Sequence, residues 1–182
     1  MSDAIKPFIV LLLFTFMVLF PAYAQDQPAP PKAIPQDVES VDAIMAAVYD
    51  VISGGKDVER DWDRFRSLFH PNAKLIPSGC NAQGQCGAAY WTIEEYIERA
   101  GPGLMTRGFF ETETHRVEER FGNIAHIFST YDSRFTPEDA EPFQRGINSF
   151  QLFNDGARWW VINIFWQGAT PNAPIPPKYS GN

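Results

Sequence analysis

Between Phe109 and Gln167 the chain alternates apolar and polar residues in four long runs, after a first half with helical spacing. A period of two places alternate side chains on opposite faces of a strand. The runs are Phe109–Arg120, Ile124–Arg134, Phe143–Phe153 and Arg158–Gln167. Gly122-Asn123 joins the first two, and Asn154-Asp155-Gly156-Ala157 joins the others. Asp-Gly between apolar runs is a strong hairpin signal. Two hairpins of this length form a sheet large enough to bend, and its apolar face needs a cover.

The first half provides one. Val41, Ile44, Met45, Val48, Val51 and Ile52 form a stripe on a helix over about Val38–Ser53, ended by Gly54-Gly55. A second helix is expected from Asp57, its cap, with Val58, Trp62, Phe65, Leu68 and Phe69 apolar, stopping at Pro71. A short strand follows around Lys74–Ile76. Thr92 and Glu95 have capping-box spacing for a third helix, with Ile93, Tyr96 and Ile97 inward, broken at Gly101-Pro102-Gly103. Three N-terminal helices followed by a curved antiparallel meander make an α+β domain.

The ends are of other material. Phe8–Phe20 is an uncharged apolar run after Lys6, and Ala22-Tyr23-Ala24 follows, which reads as a signal peptide over 1–24 cut before Gln25. The run is well short of the roughly 20 residues that span a bilayer. Residues 25–37 and 170–182 are proline-rich and should be linker and tail, leaving a domain over 38–169. A periplasmic or secreted protein follows, with no membrane contact after cleavage. The net charge is −7, which disfavours nucleic acid. Cys80 and Cys86 are the only cysteines; in an exported chain they read as a disulfide closing a small loop, worth about 2 kcal/mol.

The stretches FRSLFHPNAKLIPSG and GINSFQLFNDGARWWVINIFWQ, with the paired helices before and the third helix between, resemble the nuclear transport factor 2-like superfamily over about 38–167. The resemblance implies a cone, its bent sheet wrapped around the helices with a pocket in the mouth, and dimers through the outer sheet face. It names no reaction, since the superfamily holds isomerases, dehydratases, cyclases, epoxide hydrolases and binding domains. Ketosteroid isomerase relatives carry a carboxylate base just after the first short strand. The comparable Leu75-Ile76-Pro77-Ser78 has no acid.

Candidate chemistry lies on the long strands. His126, opposite Glu119, is the candidate acid–base, with Tyr131 beside it if a bulge at Ser129-Thr130 brings both to one face. The ligand-contacting candidates are Arg134, Arg145, Trp62, Asn148, Gln151 and Trp166, the arginines clamping a carboxylate at the cone mouth. With two-residue turns, Glu111 falls opposite Arg134, Arg145 opposite Trp166 and Asn148 opposite Asn163. Trp159, Val161 and Phe165 then share one face, and Trp160, Ile162, Ile164 and Trp166 the other. The uncovered face calls for a homodimer partner. No cofactor, metal or dinucleotide motif is present. The leading expectation is an exported domain binding a small, partly apolar molecule, possible carboxylate included. The alternatives are a cofactor-free lyase, isomerase or hydrolase using His126 with Tyr131 or Arg134, and a non-catalytic interaction or assembly module.

Overall fold

Ser40 opens the main helix by accepting a hydrogen bond from the Ala43 amide at 3.0 Å. The computed structural model describes residues 29–181; the expected signal peptide lies outside them, as does Asn182. A single turn, α1 (Pro35–Val38), precedes α2 (Val41–Ile52). The turn is docked rather than free, because Asp37 pairs with Arg64 at 2.7 Å. All six residues of the expected α2 stripe are buried, each contributing about 1.5–3 kcal/mol by removal from water.

The second helix, α3 (Trp62–Leu68), begins later than the spacing predicts. Asp61 caps it, accepting from the Arg64 amide at 2.8 Å, while Asp57 takes a positive φ of 62° in the loop before. Arg60 is the reason. Its buried guanidinium donates to the carbonyls of Ile52 at 2.9 Å, Gly54 at 2.6 Å and Leu104 at 3.1 Å. The loop is wound around this side chain and cannot be helical as well. Arg60 thereby satisfies carbonyls left open at the end of α2.

The third long helix, α4 (Ile93–Arg107), starts with the expected Thr92–Glu95 capping box. It is not broken at Gly101-Pro102-Gly103. Pro102 removes one backbone bond, but Gly101 lies against Trp62, where a Cβ would come within 3.0 Å of the indole. That glycine serves packing of α4 on α3. The helix ends at Gly108, whose φ is 76° and where a Cβ would meet the Phe135 carbonyl at 2.7 Å.

Six strands form one open sheet: β1 (Phe69–Cys80), β2 (Cys86–Ala88), β3 (Phe110–Phe121), β4 (Ile124–Arg134), β5 (Gln144–Asn154) and β6 (Trp159–Gly168). Their order is β2-β1-β6-β5-β4-β3. The expected antiparallel sheet is in fact mixed, because β1 pairs with β6 in parallel. That neighbour relation joins strands far apart in the chain, which no local pattern encodes. Cys80 and Cys86 are disulfide-bonded across the β1–β2 edge.

Register decides the site. Phe121 faces Ile124 and Glu119 faces His126, as the turn predicts. Thr114 is then an extra residue, so Glu111 lies opposite Ser133 instead of Arg134. The bulge is on β3, not at Ser129-Thr130 of β4. In the second hairpin the turn is wider, with Asn154 opposite Trp159, and Ile162 is a second extra residue. Asn148 therefore lies opposite Trp166 rather than Asn163, and Arg145 pairs beyond β6, its carbonyl accepting from the Ala169 amide at 2.7 Å. Trp159, Val161, Ile164 and Trp166 turn toward the helices, while Trp160 and Phe165 lie on the outer face, which corrects the expected grouping. The C-terminal segment returns over that face: Thr130 Oγ1 donates to the Tyr179 carbonyl at 2.6 Å, and the Phe128 and Tyr179 rings are 4.8 Å apart.

Candidate functional site

The sheet's concave face and the helices α2 and α4 enclose a cavity of about 220 Å³. Phe65, Trp91, Tyr96, Phe109, Phe150 and Trp166 supply aromatic wall. The polar groups are Tyr49 from α2, Glu111 from β3, Tyr131 from β4 and Asn148 from β5. The Thr114 bulge aims Glu111 inward, since without it a regular ladder from the Gly122-Asn123 turn would face Glu111 toward Arg134.

Two carboxylates on β3 are treated differently. Ser133 Oγ donates to Glu111 Oε2 at 2.8 Å, and Asn148 Nδ2 donates to Glu111 Oε1 at 3.2 Å. The same Asn148 amide donates to the Tyr49 hydroxyl at 3.1 Å. Tyr49 meets Ser129 Oγ at 2.7 Å, and Ser129 donates to Glu113 Oε2 at 2.6 Å. With the Ser129 proton so committed, the Tyr49 hydroxyl is the donor to Ser129. Glu113 ends this chain on a cation, Arg116, at 2.6 Å. Glu111 has only neutral donors. Burial pushes its carboxyl up to about 7, although the bonds from Ser133 and Asn148 pull the other way. Burial, reinforced by the charge of Glu111, raises the Tyr49, Tyr96 and Tyr131 hydroxyls. A carboxyl group poised near neutrality can hold a hydrogen bond as donor or acceptor, exchange a proton, or pair with a cation.

No protein-family model matches the chain, and no curated protein is similar to it in sequence. Solved structures do match. One, of a protein of unknown function with a cystatin-like fold from Nostoc punctiforme, has a TM-score of 0.55 at 15% identity, covering 74% of this chain and 91% of that one. An uncharacterised protein with a cystatin-like fold from Caulobacter vibrioides matches at 0.53 and 12%, covering 74% and 91%. An NTF2-like protein of unknown function from Silicibacter pomeroyi matches at 0.50 and 11%, covering 71% and 93%. The chain has the nuclear transport factor 2-like fold.

Within the NTF2-like cone, the sequence-predicted residues separate by face. Tyr131, Asn148 and Trp166 line the cavity. Trp62 stands behind its wall, edge-on to Phe65 with centroids 5.7 Å apart. His126 and Gln151 are paired on the outer face, where His126 Nε2 lies 3.0 Å from Ser149 Oγ and Nδ1 lies 3.8 Å from Glu119. No bulge separates His126 from Tyr131 on β4, so the two point to opposite faces. Arg134 and Arg145 do converge on a carboxylate, but it is that of Asp132. Arg145 Nε is 2.9 Å and Arg134 Nη2 is 3.2 Å from it. Asp132 is 4% exposed, and neither arginine lines the cavity.

Glu111, Tyr49 and Tyr96 were not among the candidates from sequence. Tyr96 belongs to the inward face of its helix and Tyr49 sits beside the α2 stripe, where a tyrosine reads as core. Glu111 reads as a surface cross-strand partner until the bulge is known. The Leu75–Ser78 stretch of β1 carries no acid, and the carboxyl that lines the cavity comes from β3.

Proposed function

We propose that the protein binds a small, partly apolar organic molecule in the cone cavity and anchors its polar group on Glu111. The observation that carries this reading is a carboxyl group held only by neutral donors within an aromatic wall. Apolar concavities with a few convergent polar groups are the usual form of small-molecule sites. The test is calorimetric titration with indole, whose size and single N–H donor suit the cavity. Ala100 of α4 also lines it, so Ala100→Phe fills it. Indole should bind wild type and not the filled variant, with circular dichroism unchanged. Equal binding to both would place the site elsewhere.

A catalytic reading takes second place. A carboxyl near 7 is matched to proton transfer at neutral pH, and Tyr131 shares the cavity with it. A cofactor-free lyase, isomerase or hydrolase would then use Glu111 rather than His126 as its acid–base.

The same proposal sets the protein outside the cytoplasm. The Cys80–Cys86 bond suits an oxidising compartment, and among the described residues no helix is long and apolar enough to cross a membrane. A homodimer through the outer face is supported by Phe165, which is 47% exposed there.

A further inference from the structure

We propose that the ligand of the cone cavity is an organic cation: an amine whose ammonium pairs with Glu111 and whose apolar body, about one ring in size, lies among the aromatic side chains. This rests on the reading of the cavity as a binding site and adds the charge of what it binds.

The argument begins from the charged groups around the site. No Lys, Arg or His lines the cavity, and Glu111 makes no ion pair among the described residues. Arginines on the neighbouring elements are engaged elsewhere. Arg60, in the loop between α2 and α3, is ringed by carbonyls of Ile52, Gly54 and Leu104. Arg116 of β3 is bound to Glu113 and to Asp42, each at 2.6 Å. Arg99 of α4 lies over the Trp91 ring at 5.7 Å. Arg134 and Arg145, on the far side of the sheet, hold Asp132. The remaining titratable groups facing Glu111 are Tyr49 of α2, Tyr96 of α4, Tyr131 of β4 and Glu113 of β3. All are neutral or negative.

The carboxylate also keeps acceptor capacity. Each of its oxygens takes one hydrogen bond from the protein, and a carboxylate oxygen accepts two. The carboxylate shares the cavity with aromatic rings, whose faces attract cations. Tyr96 and Trp166 meet edge to face at 6.4 Å, and Trp91 and Trp166 at 6.3 Å, so the cavity's wall is a cluster of aromatic rings. An ammonium would meet a carboxylate and π faces in one small volume. An anionic ligand would meet an uncompensated negative charge instead. The expectation of a carboxylate-bearing ligand came from Arg134 and Arg145, and those residues already have their carboxylate. The cavity's 220 Å³ equals the liquid volume of about seven waters, room for a single ring with a short arm.

The experiment compares three probes of one shape by calorimetry: 2-phenylethylamine, 2-phenylethanol and 3-phenylpropionate. At about pH 8, where Glu111 is ionised, the amine should bind at least about tenfold more tightly than the alcohol, and the propionate least. Glu111→Gln should abolish the amine's advantage while leaving alcohol binding in place. In wild type, lowering the pH to about 5.5 should remove most of that advantage, because Glu111 takes up a proton while the amine stays charged; this arm needs no variant to fold. Alcohol binding as tight as the amine in wild type would overturn the cation and leave the cavity reading standing. Binding of none of the three would overturn the cavity reading and the cation together.

Discussion

The Glu111 carboxylate and the Asn148 amide come from the two strands that flank β4, and they meet across its inner face at 3.2 Å. Asn148 thereby ties β5 to β3 and, through the Tyr49 hydroxyl, to α2. Replacing Asn148 by leucine leaves Glu111 Oε1 and the Tyr49 hydroxyl each one donor short. The expected loss is about 1–3 kcal/mol in chemical denaturation. Carbon-detected NMR should show the Glu111 carboxyl titrating higher than in wild type. An unmoved titration would mean that Asn148 does not bear on the acid.

Glu111 also leaves a mark on stability against pH. Its folded carboxyl lies near 7, above the ordinary 4.5. Between those values the unfolded chain releases a proton that the folded one retains, so stability falls as pH rises and levels off above about 7. The decrement attributable to Glu111 is on the order of 3 kcal/mol at most. Glu111→Gln should melt higher than wild type at about pH 8 and show little difference at about pH 4. A parallel pair of curves would sink the assignment.

Reduction of the Cys80–Cys86 bond should be local in effect. The bond sits on the β1–β2 edge, away from the core, and closes a short loop. Double substitution by serine is expected to lower stability by no more than about 2 kcal/mol. Indole binding should persist. Alkylation without reductant should find no free thiol in protein purified under oxidising conditions; two labelled thiols would count against the bridge.

Self-association can be tested at Phe165, an outer-face residue of β6. Light scattering of the wild-type protein at micromolar concentration should give a dimer mass, and Phe165→Glu should give a monomer that melts at the same temperature. A monomeric wild type would mean that the C-terminal segment over Phe128 and Thr130 suffices to cover the face.

Local signals in the sequence suffice where local physics decides. The α2 stripe, the Thr92–Glu95 box, the full extent of β4 and the Phe121–Ile124 turn all follow from spacing and capping within a few residues. Tyr131 and Asn148 are legible as pocket groups because they stand on long strands, although Gln151, marked out on the same ground, lies on the outer face. What escaped was set by distant partners. Arg60 delays α3 by gathering carbonyls from α2 and α4, Trp62 explains Gly101 within a continuous α4, and β1 finds β6 across most of the domain. Two extra residues, Thr114 and Ile162, moved Glu111 and Trp166 to the face opposite the one that uninterrupted alternation assigns.

The Thr114 bulge bears on how such a site would be tracked through evolution. Glu111 is aligned with Ser133 by the ladder beyond the bulge, not by its distance from the hairpin turn. A cousin lacking the extra residue would carry its acid to the same spot in the cone while standing one position nearer the turn. Alignment by residue count would match that acid to a different position and make a shared site look newly acquired. The address of the carboxyl is its partner across the strand.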